Sequence, residues 1–235
     1  MNAMSMLAIV TARGGSKRIP RKNVRPFAGR PMLSYAVAAA RESGLFDEVM
    51  VSTDDDEIAS VAAACGAAVP FRRCAATAGD FATTEEVLRE VFACYEQGGR
   101  SFDAFCCLYP CVPLLTGTLL REAGEAFLTS GAESLVPVVR FSYPVQRALV
   151  RGSDGFLAFR EPTYQAARSQ DLEPTYHDAG MFYFCRSAAF RANGGSLKTH
   201  TTAMFELPDS RVQDIDNESD WRLAELKFQL LEGGR

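Results

Sequence analysis

Hydrophobic and polar positions alternate in blocks along the first half of the chain. Three short runs with apolar centres, typical of buried strands, lie at 7–12, 48–53 and 104–109. Four longer stretches carry helical spacing or helix start and stop signals, and they lie at 31–44, 54–66, 83–99 and 117–131. This order predicts an α/β fold of three layers around a mostly parallel, mixed sheet.

The pattern changes after residue 131. Extended, partly exposed strands are predicted over 133–150 and 155–162, and a further strand over 178–185. We interpret about 138–180 as an insertion that projects from a single domain spanning residues 1–235. Strands that cannot pack within their own subunit often pack on a second one, so we expect a homodimer formed through this segment.

The chain closes with a short strand that is predicted to end at Asp214 and Asp216, followed by a C-terminal helix. Two residues apart on a strand, these carboxylates would point to the same face. Such a pair repels itself unless a cation lies between the two groups, and Mg²⁺ typically takes one or two protein carboxylates together with substrate phosphates. The alternative is that Asp216 caps the helix that follows.

The first polar block reads TARGGSKRIPRKN and occupies 11–23, directly after the first predicted strand. In parallel α/β sheets, ligands bind beyond the carboxyl ends of strands. Gly14 and Gly15 allow a tight turn whose N–H groups converge on an anion, and Ser16 adds a hydroxyl donor. The cations suited to phosphate oxygens are Arg13, Lys17 and Lys22. Neither a Walker A loop nor a GxGxxG motif is present.

Charge is distributed unevenly along the chain. Residues 1–41 hold eight Lys or Arg and no acid, although the whole chain has a net charge of −4. A basic end on an acidic body favours a local anion site over a nucleic-acid surface, and a single RGG does not form a repetitive RNA-binding tail. An ordinary solvated basic loop is the alternative. At the end of the block, Asn23 suits either the edge of a base or a turn.

Composition narrows the class of protein further. The chain has 235 residues, of which 47% are hydrophobic, and it contains no apolar run of membrane-spanning length and no visible secretory signal. We therefore expect a cytoplasmic protein without a membrane partner. Its seven cysteines lack CxxC or zinc-site spacing and indicate reduced, mostly buried thiols. Cys106 and Cys107 are expected on opposite faces of one strand.

A second polar segment, RSQDLEPTYHDAG, occupies 168–180. Arg168 has the forked geometry that binds a carboxylate. His177 is more often a structural hydrogen-bonding group than a catalyst. An exposed loop with surface charges is the alternative interpretation of this segment.

Four motifs in this order, ARGGSKRIPRKN, STDDDEIA, RSQDL…YHDAG and QDID…DW, resemble those of the sialic-acid-type cytidylyltransferases. The resemblance covers about residues 7–230. It implies a Rossmann-like nucleotidyltransferase fold with a small inserted dimerisation segment, and an enzyme that couples CTP to a nine-carbon 2-keto sugar acid, releasing pyrophosphate. The segment FSYPVQRAL at 141–149 is similar to the pseudaminic acid branch of the family.

The resemblance also implies roles for individual residues. The residues expected around CTP are Ala12, Arg13, Gly14, Gly15, Ser16, Lys17, Lys22, Asn23, Arg73 and Thr83. Those expected to contact the sugar are Tyr109, Gln146, Arg147, Arg168, Gln170 and His177. Asp214 and Asp216 would hold Mg²⁺, and with Arg13, Lys17 and Lys22 they would form the catalytic set.

Three other functions stay open from the sequence. N-acetylneuraminate enzymes usually carry a QPTSPLR-like segment, where this chain has Tyr109 in place of Gln and Leu115 in place of Arg. A glycosyltransferase of similar architecture would release a nucleoside diphosphate and needs fewer cations. A non-enzymatic nucleotide-binding module fits the acidic body poorly.

Overall fold

The structure is a computed structural model in which residues 4–233 are described. Its elements over the first half of the chain are β1 (Met6–Thr11), β2 (Pro26–Phe27), β3 (Arg30–Pro31), α1 (Leu33–Ser43), β4 (Glu48–Ser52), α2 (Asp56–Ala64), α3 (Ala75–Ala78), α4 (Thr84–Gln97), β5 (Ala104–Leu108) and α5 (Gly117–Ser130). Those that follow are β6 (Ser134–Arg140), β7 (Leu149–Arg151), β8 (Leu157–Phe159), β9 (Tyr176–Asp178), β10 (Phe182–Arg186), α6 (Ser187–Ala192), β11 (Thr202–Glu206) and α7 (Glu218–Gly233). Within this range, no helix is both long enough and apolar enough to cross a membrane.

Seven strands form one central sheet in the order β11, β6, β10, β5, β1, β4, with β9 pairing along β6. β1 runs parallel to β4 and β5, and β11 runs parallel to β6. β9 and β10 run antiparallel to their neighbours, so five of the seven strands share one direction. The predicted mixed, mostly parallel sheet is confirmed.

Helices cover both faces of this sheet. Along β1, Met6, Ala8 and Val10 pack in one core with α1, α2 and α5. The alternate residues Leu7 and Ile9 pack in a second core with α4 and α6. Burial on both faces explains why this strand is an unbroken apolar run in the sequence. The layers leave the carboxyl ends of β1, β4 and β5 along one edge, which is where ligands bind in such folds.

A third, smaller core holds the loop after β1 against α7. Ile19 of the basic block and Ile215 are both buried in it, together with aromatic side chains from β2, α1 and α7. Each of these isoleucines contributes about 1.5–3 kcal/mol relative to an exposed side chain. Because Ile215 lies between Asp214 and Asp216, this core brings the acid pair to the basic block.

The prediction of a strand that ends at Asp214 and Asp216 is wrong, since this stretch joins no sheet in the described structure. Val212 is buried in the first core and Ile215 in the third. Ile215 packs against the basic block and α7, so this segment is held by the third core and not by a neighbouring strand. The strand predicted over 178–185 is divided into β9 and β10 at Gly180, whose φ is 63°.

The insertion leaves the sheet at the end of β6 and returns along β9, which pairs antiparallel with β6. Between them, β7 and β8 form a separate two-stranded sheet. Of the strand predicted over 133–150, only Ser134–Arg140 joins the central sheet. Large apolar side chains project from this segment, with exposed fractions of 87% for Tyr143, 74% for Phe156 and 72% for Leu157.

Candidate active site

A cavity of about 710 Å³ opens beyond the carboxyl end of β1, at the predicted ligand edge of the sheet. Its wall combines the basic block, the segment from α3 to the start of α4, and the loop that follows β5. The polar and charged lining residues are Thr11, Arg13, Ser16, Lys17, Arg18, Lys22, Asn23, Arg73, Thr77, Asp80, Thr84, Tyr109 and Asp216. The structure thus brings eight of the residues predicted for CTP, sugar or metal binding to one cavity.

Gly14 lets the basic block lie close against the start of α2. Its N–H donates to Asp54 Oδ1 at 3.1 Å, and a Cβ atom built on it would come within 2.8 Å of Asp55 Oδ2. Neither Gly14 nor Gly15 has a positive φ. The requirement for glycine at position 14 is therefore close approach, and not a left-handed turn.

Gly14→Ala is expected to destabilise the protein by about 1–3 kcal/mol, because the added methyl group meets the Asp55 carboxylate in a packed position. Urea unfolding followed by circular dichroism measures this change. Gly15→Ala is the matched control, since its Cβ would have its nearest neighbour, Asp80 Oδ1, at 4.0 Å. Equal losses of stability in the two variants would contradict the close-packing explanation.

The cations of the basic block face carboxylates from distant parts of the chain. Arg13 Nη1 lies 2.9 Å from Asp80 Oδ1, and Lys17 pairs with the other oxygen of Asp80. Arg18 Nη2 lies 2.7 Å from Asp216 Oδ1. Further pairs join Arg21 to Asp55 and Glu57, and Arg25 to Glu218. The block is thus tethered on several sides and is not an isolated solvated loop, while each partly exposed pair contributes only about 0–1 kcal/mol and can be exchanged for a ligand.

The acid pair lies against the same block. Lys22 Nζ donates to the Ile215 carbonyl at 2.6 Å, which fixes the segment between the two aspartates. Asp214 is exposed as a whole residue, but partial desolvation of its carboxyl group, reinforced by the charge of Asp216, raises the pKa of that group. A cation placed between the two groups would relieve both effects.

The start of α7 has its own cap. Asn217 Oδ1 accepts hydrogen bonds from the N–H groups of Ser219 and Asp220, at 2.9 and 3.1 Å. The alternative that Asp216 serves as the helix cap is therefore wrong. Its carboxylate instead faces the cavity and Arg18.

Arg73 forms a fixed positive charge in the cavity wall. It is buried and makes two hydrogen bonds to Ser52. Its Nε donates to the Ser52 hydroxyl at 3.1 Å, and its Nη2 donates to the Ser52 carbonyl at 2.6 Å. Burial lowers the pKa of this guanidinium. Asn23 is also buried in the wall, and its amide donates to the Arg13 carbonyl at 2.8 Å, bracing the two ends of the basic loop.

Other residues predicted around CTP do not line the cavity in the described structure. Ala12 is fully buried, and its N–H donates to the Ser52 carbonyl at 3.0 Å. Thr83 caps α4 through a capping box with Glu86, so its hydroxyl is engaged, and the neighbouring Thr84 lines the wall. Gly14, Gly15 and Asp214 are likewise absent from the residues that line the cavity.

Five residues predicted to contact the sugar lie in the insertion, and in the described chain they do not line the cavity: Gln146, Arg147, Arg168, Gln170 and His177. Arg168 is paired with Asp171 through two bonds of 2.7 and 3.1 Å. Gln146 donates to the Glu173 carbonyl at 2.9 Å. The insertion thus presents its own polar cluster, apart from the cation cavity.

Tyr109 connects the main cavity to a smaller one of about 250 Å³, because it and Thr84 line both. In the smaller cavity, Asp178 Oδ1 accepts from the Tyr183 hydroxyl at 2.8 Å, and Asp178 Oδ2 lies 3.4 Å from Lys198 Nζ. Burial raises the pKa of both Tyr109 and Tyr183. The sequence predicts no role for Tyr183, Lys198 or the main-cavity acid Asp80. Tyr183 lies just after the YHDAG motif, whereas Lys198 and Asp80 stand in no motif with a recognisable spacing.

The cysteines are all free thiols, of which three are buried. Cys106 packs in the first core and Cys107 in the second, on opposite faces of β5 as predicted. Burial raises the pKa of Cys107 to about 12. Such a thiol is protonated near neutral pH and is not a nucleophile.

A cavity of clustered cations beside an acid pair, at the ligand edge of a three-layer sheet, defines an α/β nucleotide-handling enzyme. The sequence matches the family model for Cytidylyltransferase over residues 7–186. The chain belongs to this family and is a nucleotidyltransferase, which confirms the family expected from the motifs.

The similarity to curated relatives extends over almost the whole chain. The chain is 38% identical to a pseudaminic acid cytidylyltransferase of Campylobacter jejuni over 227 residues, which is 97% of each protein. It is 31% identical to a CMP-N,N'-diacetyllegionaminic acid synthase of Legionella pneumophila, again over 97% of each. An N-acylneuraminate cytidylyltransferase of Danio rerio is 32% identical over 93% of this chain and 49% of its own length.

Solved structures support the fold. A CMP:2-keto-3-deoxy-manno-octonic acid synthetase complexed with CTP superposes with a TM-score of 0.68 at 16% identity, covering 97% of this chain and 99% of the other. A 4-diphosphocytidyl-2C-methyl-D-erythritol synthase from Anaerococcus prevotii has a TM-score of 0.65 at 13% identity, covering 96% and 99%. The Rossmann-like nucleotidyltransferase architecture is therefore confirmed.

Proposed function

We propose that this enzyme transfers the CMP group of CTP to the anomeric hydroxyl of a nine-carbon 2-keto sugar acid of the pseudaminic type. The hydroxyl oxygen forms a bond to the α-phosphorus, the bond from that phosphorus to the bridging oxygen breaks, and pyrophosphate leaves. The hydroxyl proton passes to a carboxylate or to water. The products are a CMP-sugar and pyrophosphate.

The main support for this proposal is the cluster of cations around one cavity. Arg13, Lys17 and Lys22 line the part of the wall formed by the basic block, and the buried Arg73 also lines the cavity. A triphosphate that loses pyrophosphate develops charge on the leaving group, and fixed cations stabilise that charge in the transition state. A glycosyltransferase, which releases a diphosphate, has less need for this concentration of charge.

The protein's own residues act mainly by positioning and neutralisation. Arg13 and Lys17 would hold the terminal phosphates, and Ser16 would donate its hydroxyl to a phosphate oxygen. Lys22, fixed on Ile215, would bridge the phosphates and the acid pair. Holding the sugar hydroxyl and the α-phosphorus in line lowers the barrier without covalent catalysis by the protein.

We infer that the acid pair holds Mg²⁺ together with the nucleotide. In residues 4–233, no group of three or more His, Cys, Asp or Glu could hold a metal by itself. Two carboxylates, with phosphate oxygens and water as the other ligands, nevertheless fit the preference of Mg²⁺. Partial desolvation and the neighbouring charge of Asp216 raise the pKa of Asp214, and a bound cation would offset both effects. When bound, the ion would supply charge neutralisation at the phosphates.

The identity of the sugar is proposed from two observations. The identity of 38% to a pseudaminic acid cytidylyltransferase, against 32% to a neuraminate relative, favours the pseudaminic type. Leu115, which replaces the arginine of neuraminate enzymes, is buried in the first core and cannot reach a sugar. We propose that Tyr109 contacts the sugar from the wall, and that the insertion contributes Gln146, Arg147, Arg168, Gln170 and His177.

A pyrophosphate-release assay tests the function. The protein is incubated with CTP, Mg²⁺ and one sugar at a time: pseudaminic, N,N'-diacetyllegionaminic, N-acetylneuraminic or 2-keto-3-deoxy-manno-octonic acid. We expect release with pseudaminic acid and a CMP-sugar by mass spectrometry. Faster release with N-acetylneuraminic acid would assign the alternative substrate. Release without any sugar, or none with all four, would overturn the proposal. UDP-sugars as donors test the glycosyltransferase alternative.

We propose that the enzyme is a homodimer formed through the insertion at about 138–180 of a single domain, and that it acts in the cytoplasm. Exposed apolar side chains concentrate on this segment, which suits burial against a second copy. A dimer would also carry the polar cluster of one insertion toward the cavity of its partner, which would explain why these residues do not line their own cavity. The seven free thiols agree with a reducing compartment.

Leu157→Glu is expected to convert the dimer to monomers, because it places a charge at an apolar interface. Sedimentation equilibrium measures the mass. Leu230→Glu is the matched control, because Leu230 is 77% exposed against 72% for Leu157 but lies on α7. A Leu157→Glu protein that sediments like the unmodified chain would exclude the insertion as the interface.

A further inference from the structure

Asp80 is an acidic residue in the wall of a cavity that five Lys or Arg side chains also line. One oxygen lies 2.9 Å from Arg13 Nη1 and the other pairs with Lys17. Arg13 Nη1 also donates to the Gly79 carbonyl at 3.3 Å, so the same guanidinium holds the backbone beside Asp80. The hydrogen bond from Lys17 is the main cause that lowers the pKa of Asp80, which therefore stays ionised.

We propose that Asp80 is an internal counter-anion for the phosphate site. Its carboxylate holds Arg13 and Lys17 in the empty enzyme, gives them up to the triphosphate, and pairs with them again as pyrophosphate leaves. This inference rests on the proposed function, because it assigns Asp80 a positioning role on the two cations expected to bind the terminal phosphates.

The strength and location of the contacts suit an exchange. The Asp80 side chain is 36% exposed and its partners are 39% and 78% exposed, so each pair is held only weakly in water. A triphosphate or pyrophosphate carries several charges and outcompetes one carboxylate. Asp80 sits in the turn between α3 and α4, next to Phe81, which is 99% exposed and does not anchor the turn.

The two possible roles of Asp80 predict opposite changes. A carboxylate that competes with phosphates weakens their binding, so its removal tightens pyrophosphate and slows product release. A carboxylate that only tethers the loop orders the cations, so its removal loosens them and weakens phosphate binding. The direction of the change therefore separates the exchange from a structural role.

The experiment compares Asp80→Asn, which keeps the shape and removes the charge, with the unmodified enzyme. Calorimetric titration with pyrophosphate alone is expected to give about fivefold to tenfold tighter binding, the equivalent of one or two weak ion pairs. In turnover assays, KM for CTP and kcat are both expected to fall. Glu96→Gln is the matched control, because Glu96 pairs with Arg191 at 2.5 Å on the far end of α4 and does not line the cavity.

Unchanged or weaker pyrophosphate binding by Asp80→Asn, with a raised KM, would overturn the proposal in favour of a tether. Asp80→Ser is made in parallel, and circular dichroism checks that the variants fold. Pyrophosphate binding needs no sugar, so it tests Asp80 even when none of the sugars reacts. If the unmodified enzyme turns over normally but Asp80→Asn does not bind pyrophosphate more tightly, the proposed role of Asp80 is wrong and the proposed function stands.

Discussion

Lys22→Met is expected to lower kcat/KM for CTP by about 100-fold or more, the usual effect of removing one fixed group that stabilises transition-state charge. Lys22 lines the cavity and donates to the Ile215 carbonyl at 2.6 Å, so its ammonium is fixed at the cavity wall beside the acid pair. Methionine keeps the length and apolar stem of the side chain and removes the charge. Steady-state kinetics with varied CTP measure the loss.

Lys227→Met is the matched control for this prediction. Lys227 also donates to backbone carbonyls of the same segment, at 2.7 Å to Val212 and 2.9 Å to Asp209, but it does not line the cavity. We expect Lys227→Met to lower the thermal midpoint and to leave KM for CTP unchanged. If the two lysine variants lose activity equally, the role of Lys22 is to attach the segment and not to neutralise phosphate.

Asp214→Asn is expected to lower kcat by about 100-fold and at the same time to raise the thermal midpoint of the free enzyme. Burial and the charge of Asp216 raise the pKa of Asp214, so the folded state disfavours its ionised form. As pH rises through the carboxyl range, the unfolded chain ionises first and wild-type stability falls, whereas the asparagine variant avoids this loss. Its advantage in thermal midpoint therefore grows from acidic pH to neutral pH.

Differential scanning calorimetry at several pH values and kinetics with varied Mg²⁺ test this prediction. Asp209→Asn serves as the control, because it removes the same charge from an exposed residue that pairs with Lys227. Full CTP-dependent turnover by Asp214→Asn, and equally by Asp216→Asn, would show that the acid pair does not hold the metal. A lower thermal midpoint would show that the Asp214 charge stabilises the fold.

The layers of the fold are predictable largely because β1 and β5 are buried on both faces, which leaves almost unbroken apolar runs in the sequence. The basic block is equally visible, since its charges are clustered within a few residues of one another. The strand predicted to end at Asp214 and Asp216 does not form, because Ile215 packs in a small third core that no local sequence pattern reveals.

The pairing of charges across the site is not predictable from local sequence. Arg18 and Asp216 are 198 residues apart, and Arg13 and Asp80 are 67 residues apart. Only the folded sheet and the third core bring them together. A cluster of like charges predicts an anion site. It does not predict that carboxylates of the same chain pair with those charges when no ligand is bound.

Strand β10 has a consequence for how the chain folds. It is the only strand that joins β5 to β6 within the described sheet, so it links the half carrying β1 and β4 to the half carrying β6, β9 and β11. Its residues, Phe182–Arg186, pair with β5 from far along the chain, across the whole insertion. Such non-local pairing is slow, because the entropy of closing a long loop is lost before the contacts form. During synthesis, therefore, β5 keeps an open edge until residue 186 has left the ribosome, and the interval before β10 arrives is when this chain is most prone to pair with another.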